Sequence, residues 1–305
     1  MLDLDTFLTR LYVMVDDFCK ANLPAEVRPG PEASLSRSEV VTLAVFGQWR
    51  RFASERDFWR FAQAKLRGAF PRLPHRSQFN RLVRLHYDAI VAFGLFLAPQ
   101  QADYEALDTL PVMVRQYKRR GRGWLAGQAD IGFSRRISSW FCGFRLLVVV
   151  TPEGLVTGFG FGPASAKEQP LTEALLALRQ TPQACAPSLG AARGGGYYLA
   201  DKGFEGVNRR CRHGQGSAVV IHPPRRNSSH PWPQQLRRWL ASRRQIVETV
   251  FAKLMHTFGL DRERPHHLMG FSARLAARVA LHNFCHCLNR SLHRPALAFV
   301  HLLGW

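Results

Sequence analysis

The sequence predicts an α/β architecture: a mixed sheet flanked by helices, preceded by an all-helical N-terminal region. Three observations predict it. Apolar residues recur at the helical period through the first hundred residues. From about residue 104 the pattern changes to that of strands, and from about residue 171 helical and strand-like stretches alternate. With 305 residues, 46% apolar and 21% charged, the chain can fill one large or two modest domains and is not a disordered polypeptide. The change of period divides it into a helical region over 1–100 and a sheet-containing domain over 101–305.

In the first region Leu4, Phe7, Leu8, Leu11, Val15 and Phe18 share one helix face. Further helices start at Ser36-x-x-Glu39 and Ser54-x-x-Asp57, where a hydroxyl caps the helix and an acid answers it. Another is expected from Ser77 to about Leu97; its first turns carry Arg76, Arg81 and Arg84 beside Asn80, an arrangement that loosely resembles a helical DNA-binding element. In the second region Ala106–Val114 reads as a strand and Arg115–Arg122 as a basic loop. Leu146–Val150 and Leu155–Phe161 form a hairpin around the turn Thr151-Pro152-Glu153-Gly154. Leu171, Ala174, Leu175 and Leu178 mark a helix, and the Pro/Gly-rich stretch 182–196 leads into a strand at Tyr197–Ala200. Ser217–Ile221 is a further strand. A long helix over about 234–258 buries Leu236, Leu240, Val247, Val250, Phe251 and Leu254.

The chain is strongly basic, with 42 Lys+Arg against 22 Asp+Glu and a net charge of +20. The excess is uneven: +4 over residues 1–100, +4 over 101–200 and +12 over 201–305. Most of the cations are arginine, whose forked guanidinium matches phosphate. A polyanionic partner, nucleic acid, is expected. No apolar run approaches the ~20 residues that span a bilayer, and Asp3 and Asp5 stand where a secretory signal needs base. A soluble, cytoplasmic protein with no membrane partner is expected. Six cysteines, none in a Cys-x-x-Cys pair, read as reduced thiols.

In a chain short of acids, carboxylates set among apolar residues stand out. Asp108 interrupts the strand Leu107-Asp108-Thr109-Leu110-Pro111-Val112, where a lone buried carboxylate is costly unless paired or metal-bound. Asp201 ends the strand of Tyr198-Leu199-Ala200-Asp201-Lys202-Gly203-Phe204, and ligands bind at strand C-termini in such sheets. Glu248 lies beside the apolar stripe of the long helix, in Arg243-Arg244-Gln245-Ile246-Val247-Glu248-Thr249-Val250-Phe251. Two Asp on adjacent strands and a Glu on a helix over them converge as hard oxygen ligands for Mg²⁺. Two such ions about 4 Å apart serve the two sides of a phosphodiester.

These three blocks resemble those of bacterial insertion-sequence DDE transposases, in that order and with a mixed sheet between them. Weaker similarity extends from His75-Arg76-Ser77-Gln78-Phe79-Asn80 to the tail over 268–289. The resemblance implies an RNase H-like catalytic domain and metal-dependent phosphoryl transfer with Mg²⁺ or Mn²⁺, two ions held by Asp108, Asp201 and Glu248. It also implies double-stranded DNA as substrate, recognition of terminal inverted repeats, strand cleavage followed by strand transfer, and a homodimer that holds two ends together. Arg244 matches the arginine of the related Tyr-x₂-Arg-x₃-Glu-x₆-Lys signature and is expected to contact phosphate; Ala241 and Met255 depart from it. Arg243, Lys202, Arg76 and Arg81 are further expected DNA contacts. The competing functions are a non-catalytic DNA-binding protein of transposase descent and an RNase H-like nuclease that does not join ends. Asp130 is a rival first acid and Glu168 an auxiliary one, both in loop-like surroundings. Trp232 and Trp239 read as packing residues, with stacking on an unpaired base as the alternative, and the runs Arg115–Arg122 and Arg209–Arg212 suit either phosphate contact or solvated basic loops. His282, Cys285, His286 and Cys287 read as helix packing, because no partner pair completes a zinc site.

Overall fold

The computed structural model of the chain describes residues 1–26, 33–98, 102–115, 125, 128–134, 136–179, 185–186, 189–191, 196–207, 218–225 and 227–305. The expected loop 116–122 and the run Arg209–Arg212 lie outside the described residues. Two compact units result, one of Met1–Leu97, His256–Gly259 and Met269–Trp305, the other of Ala98–Met255 and Leu260–Leu268.

The first unit is helical: α1 (Leu4–Asn22), α2 (Arg37–Phe46), α3 (Glu55–Lys65), α4 (Arg76–Leu85) and α5 (Tyr87–Phe96). Both expected caps form, Ser36 with Glu39 as a full capping box and Ser54 accepting from the Asp57 amide. The single helix expected over Ser77–Leu97 is two helices, because the His86 backbone (φ −95°, ψ 21°) leaves the helical region. The buried His86 ring lies 3.5 Å from Glu26, a long-range contact that local periodicity does not encode. The tail helix Leu268–Ser291, expected in the catalytic domain, packs from Met269 onward in this unit instead. Its circumference is buried almost throughout, polar Arg278, His282, Asn283 and His286 included, so it must be enclosed by other helices rather than laid on one face of a sheet. Leu275, Val279, Phe284, His282 and His286 are all buried, and Asn283 donates to the Gly94 carbonyl at 2.8 Å.

The second unit holds the sheet. Its elements are β1 (Tyr104–Arg115), β2 (Asp130–Ser134), β3 (Ser139–Val150), β4 (Val156–Pro163), α6 (Glu168–Leu178), β5 (Cys185–Ala186), β6 (Leu189–Ala191), β7 (Gly196–Leu199), β8 (Ala218–Ile221) and α7 (Gln234–Ala252). The strand order is β5-β6-β4-β3-β1-β7-β8, with β2 on β3. β1, β3 and β4 form an antiparallel meander, while β7 and β8 run parallel to β1. Three expectations change. β3 reaches back to Ser139. Asp130 opens strand β2 rather than lying in a loop. Leu236 is 40% exposed, and the buried stripe of α7 begins only at Leu240. Beyond Ala252 the long helix continues as a wider π-helical turn, Lys253–Thr257.

Side chains alternate across the sheet. On one face Leu107, Leu147, Val149 and Tyr198 pack with Leu175 and Leu176 of α6. A buried ion pair is set into that face: Arg179, at the end of α6, lies 2.8 Å from Glu105 of β1, with Thr157 donating to the same carboxylate and the Tyr198 ring beneath the guanidinium. The opposite face of β1, β3 and β7 is covered by α7.

Candidate active site

β1 and β7 pair in parallel with Ala106 beside Leu199. Two residues further on, the same register sets Asp108 beside Asp201, just past the end of β7. Both therefore belong to the sheet face that α7 covers. The strand ends there because Asp201 turns the chain: its Oδ1 accepts from the Gly203 amide at 2.6 Å and caps the short helix Lys202–Phe204.

Helix α7 brings the third acid. Leu240, Arg244, Val247, Glu248 and Phe251 follow helical spacing along one stripe. Arg244 donates to Asp108 Oδ2 at 2.9 Å, and the Thr109 amide donates to Asp108 Oδ1 at 2.7 Å. Asp108 is mostly buried, with a side-chain exposure of 16%. Burial pushes its carboxyl up to about 6, Arg244 and the Thr109 amide work against that, and the charges of Asp201 and Glu248 add to it. Asp108 thus feels the charge of both other acids. Glu248 is half-exposed and pairs with Arg136, whose guanidinium also lies over the Phe251 ring at 5.4 Å.

The other face of the sheet braces the same spot. Glu168, in the first turn of α6, accepts from Thr109 at 2.7 Å and from Arg145 at 2.8 Å. Gln169 donates to the Gly203 carbonyl at 2.8 Å. The two aspartate-bearing segments are therefore held from behind, one by each residue. Gly203 is confined between them: a Cβ there would stand 2.5 Å from Glu168 Oε2 and 2.9 Å from Asp201 Oδ1. Arg136, Arg145 and Gln169 carry no sequence signal of their own, since each is defined by a contact distant in the chain. The one visible sign of Arg136 is the basic turn between Phe133 and Trp140.

Of the other expected contacts, Lys202 and Arg243 are exposed beside Asp201 and Arg244 in the chain. Arg76 and Arg81 belong to α4 of the first unit, Arg81 exposed and Arg76 half-buried, while Asn80 is engaged with Glu55 at 3.0 Å. Asp130 bonds Ser165 at 2.6 Å. Among the described residues, no group of three or more His, Cys, Asp or Glu side chains stands close enough together to hold a metal ion. The carboxylates of Asp108 and Glu248 engage guanidinium groups instead. The donor set, one carboxylate within β1, one just past the end of β7 and one on α7, nonetheless fits a hard divalent cation by its chemistry.

The antiparallel meander continued by parallel strands, with helices on both faces, is an RNase H-like fold. The comparisons then give the family. A family model described as a transposase DDE domain matches residues 127–284, just over half of the chain. The chain belongs to that family of DNA-cleaving and DNA-transferring enzymes, and so to transposition and DNA recombination. The match contains Asp201, Glu248 and the rival Asp130, and begins after Asp108. No curated protein matches the sequence. Among the described residues no helix is long and apolar enough to cross a membrane.

Proposed function

We propose that the chain is an active DDE transposase that binds the terminal inverted repeats of its element, cleaves at the element ends and joins the freed 3′-OH to target DNA. Asp108, Asp201 and Glu248 form its carboxylate site. One observation supports the reading: the β1–β7 register, carried two residues past the end of β7, brings Asp201 to the level of Asp108, on the face covered by the helix that bears Glu248, and the charges of Asp201 and Glu248 both act on Asp108. Asp130 lacks that placement.

The three carboxylates would hold Mg²⁺ or Mn²⁺, two ions in the full site, which supply Lewis-acid polarisation of the phosphoryl group. Arg244 holds Asp108 in place and presents a phosphate-matching fork at the same point. Asp201 is fixed by the Gly203 amide, and from behind Glu168 holds the neighbouring Thr109 hydroxyl and Gln169 the Gly203 carbonyl. Lys202 and Arg243 contact the DNA backbone at the site, and Arg76 and Arg81 of the helical unit contact it elsewhere; the subunits act as a dimer that pairs two ends in the cytoplasm.

The test is incubation of labelled DNA carrying the sequences that flank the gene, with Mg²⁺ or EDTA, using wild type and Glu248→Gln. The expected result is metal-dependent nicking at the flanking ends together with joined products, both lost in the variant while binding persists. Cleavage without joining would point to a nuclease, and binding without cleavage in any metal to a DNA-binding protein alone.

A further inference from the structure

The β2–β3 hairpin is packed on one side and bare on the other. On its packed side Phe141 is 2% exposed, Asp130 bonds Ser165, and Gly132 lies so close to the β4 end that a Cβ would come within 2.2 Å of the Ala164 carbonyl oxygen. On its bare side Phe133 and Trp140 face each other across the strands in direct register. Their rings meet edge to face, centroids 5.6 Å apart at 67°. Yet Phe133 is 45% and Trp140 56% exposed, and Ile137 at the turn is 39% exposed. Among the described residues nothing covers this aromatic pair. The edge-to-face contact restrains the indole while more than half of Trp140 stays exposed.

The placement relates this bare side to the carboxylates. In β3, Trp140 lies an even number of residues from Val148, the direct partner of Asp108. The indole therefore belongs to the sheet face that carries Asp108 and Asp201. The hairpin turn carries Arg136, which pairs with Glu248 and covers Phe251. Trp140 lies four positions beyond Arg136, so their Cα atoms are at most about 14 Å apart. The aromatic pair thus stands within a few nucleotides' reach of Glu248.

We propose that the Phe133–Trp140 face of the β2–β3 hairpin is a binding platform for an unpaired nucleobase of the DNA end being processed. The inference rests on the proposed transposase reading and adds to it the single-stranded character of the bound end. An exposed, edge-braced indole is chemically matched to the π-face of a base, and such stacking is tolerant of sequence. A strongly cationic chain supplies the accompanying attraction for the phosphates. Base stacking on an aromatic residue changes affinity by roughly 5- to 150-fold per base.

The test compares two DNAs of gene-flanking sequence, one fully paired and one with a single unpaired 2-aminopurine near the end. Both are titrated with full-length wild type, Trp140→Ala and Trp140→Phe in EDTA. In wild type the 2-aminopurine fluorescence is expected to be quenched on binding. Trp140→Ala should weaken the unpaired-base DNA by roughly 5- to 150-fold and leave the paired duplex within about twofold, and Trp140→Phe should recover most of the loss. Equal losses on both DNAs, or no loss on either, would overturn the platform. A change in mass by light scattering in Trp140→Ala would instead assign the face to a subunit contact and overturn it too. Failure of wild type to bind either DNA would sink the transposase reading along with it, whereas intact duplex binding without discrimination sinks the platform alone.

Discussion

Replacing Asp108 by Asn gives a stability change whose pH dependence follows from the site. Burial, reinforced by Asp201 and Glu248, moves the Asp108 carboxyl from 3.8 to about 6 despite the bond from Arg244. A carboxyl with a raised pKa holds its proton more tightly in the folded chain than in the unfolded one. Its favourable contribution is therefore complete below about pH 4 and is lost as pH rises through about 6. A displacement of roughly two units corresponds to about 3 kcal/mol lost by neutral pH. Asp108→Asn removes the titrating group while keeping the shape and an acceptor for Arg244 and the Thr109 amide. The stability difference, variant minus wild type, should grow by about 3 kcal/mol between pH 4 and pH 7 and then level off. For a domain of this size that is about 6–12 °C in melting temperature. The assay is urea or thermal unfolding of both proteins in EDTA across that range, where shared titrations cancel. A difference that is flat with pH, or that falls as pH rises, would show that pairing with Arg244 outweighs burial and would refute the reasoning.

Adding Mg²⁺ to these samples should stabilise wild type more than Asp108→Asn, read as a larger rise in melting temperature; equal shifts would speak against Asp108 as a ligand. Arg179→Met leaves Glu105 buried without its partner and should cost about 3–5 kcal/mol in urea unfolding, part of it regained by adding Glu105→Gln. Gly203→Ala drives a methyl against Glu168 and Asp201 and should lower the cleavage rate about 10²-fold with a much smaller loss of melting temperature than Arg179→Met. Arg136→Ala removes a half-exposed pair and should change unfolding free energy by no more than about 1 kcal/mol.

Much of this site was legible in the sequence because each acid marks itself against an apolar background. A lone Asp in a β-branched run, an Asp at a strand end before Lys-Gly, and a Glu beside a helical stripe are local signals. What joins them is not local. The register that sets Asp108 beside Asp201 is decided by how β7 docks on β1, across more than ninety residues of chain. The β2 strand escaped notice because Asp130–Ser134 is short and contains Gly132, whose bareness is explained only by the approach of Ala164. Its partner signal, Phe133 and Trp140 flanking a basic turn, reads as a hairpin once β3 is known to begin at Ser139. The break at His86 has no proline or glycine to announce it. The tail helix falls within 101–305 by position in the chain, whereas its burial on nearly all sides, polar residues included, comes from packing that no local pattern encodes. The Glu105–Arg179 pair joins residues 74 apart, beyond the reach of any periodicity.

The central claim is that Asp108, rather than Asp130, completes the carboxylate site with Asp201 and Glu248. The most direct measurement is cleavage of gene-flanking DNA in Mn²⁺ by Asp108→Asn, Asp130→Asn, Asp201→Asn and Glu248→Gln, each checked for retained DNA binding. The account predicts that Asp108→Asn, Asp201→Asn and Glu248→Gln bind without cutting while Asp130→Asn cuts like wild type. A silent Asp130→Asn beside an active Asp108→Asn would contradict it.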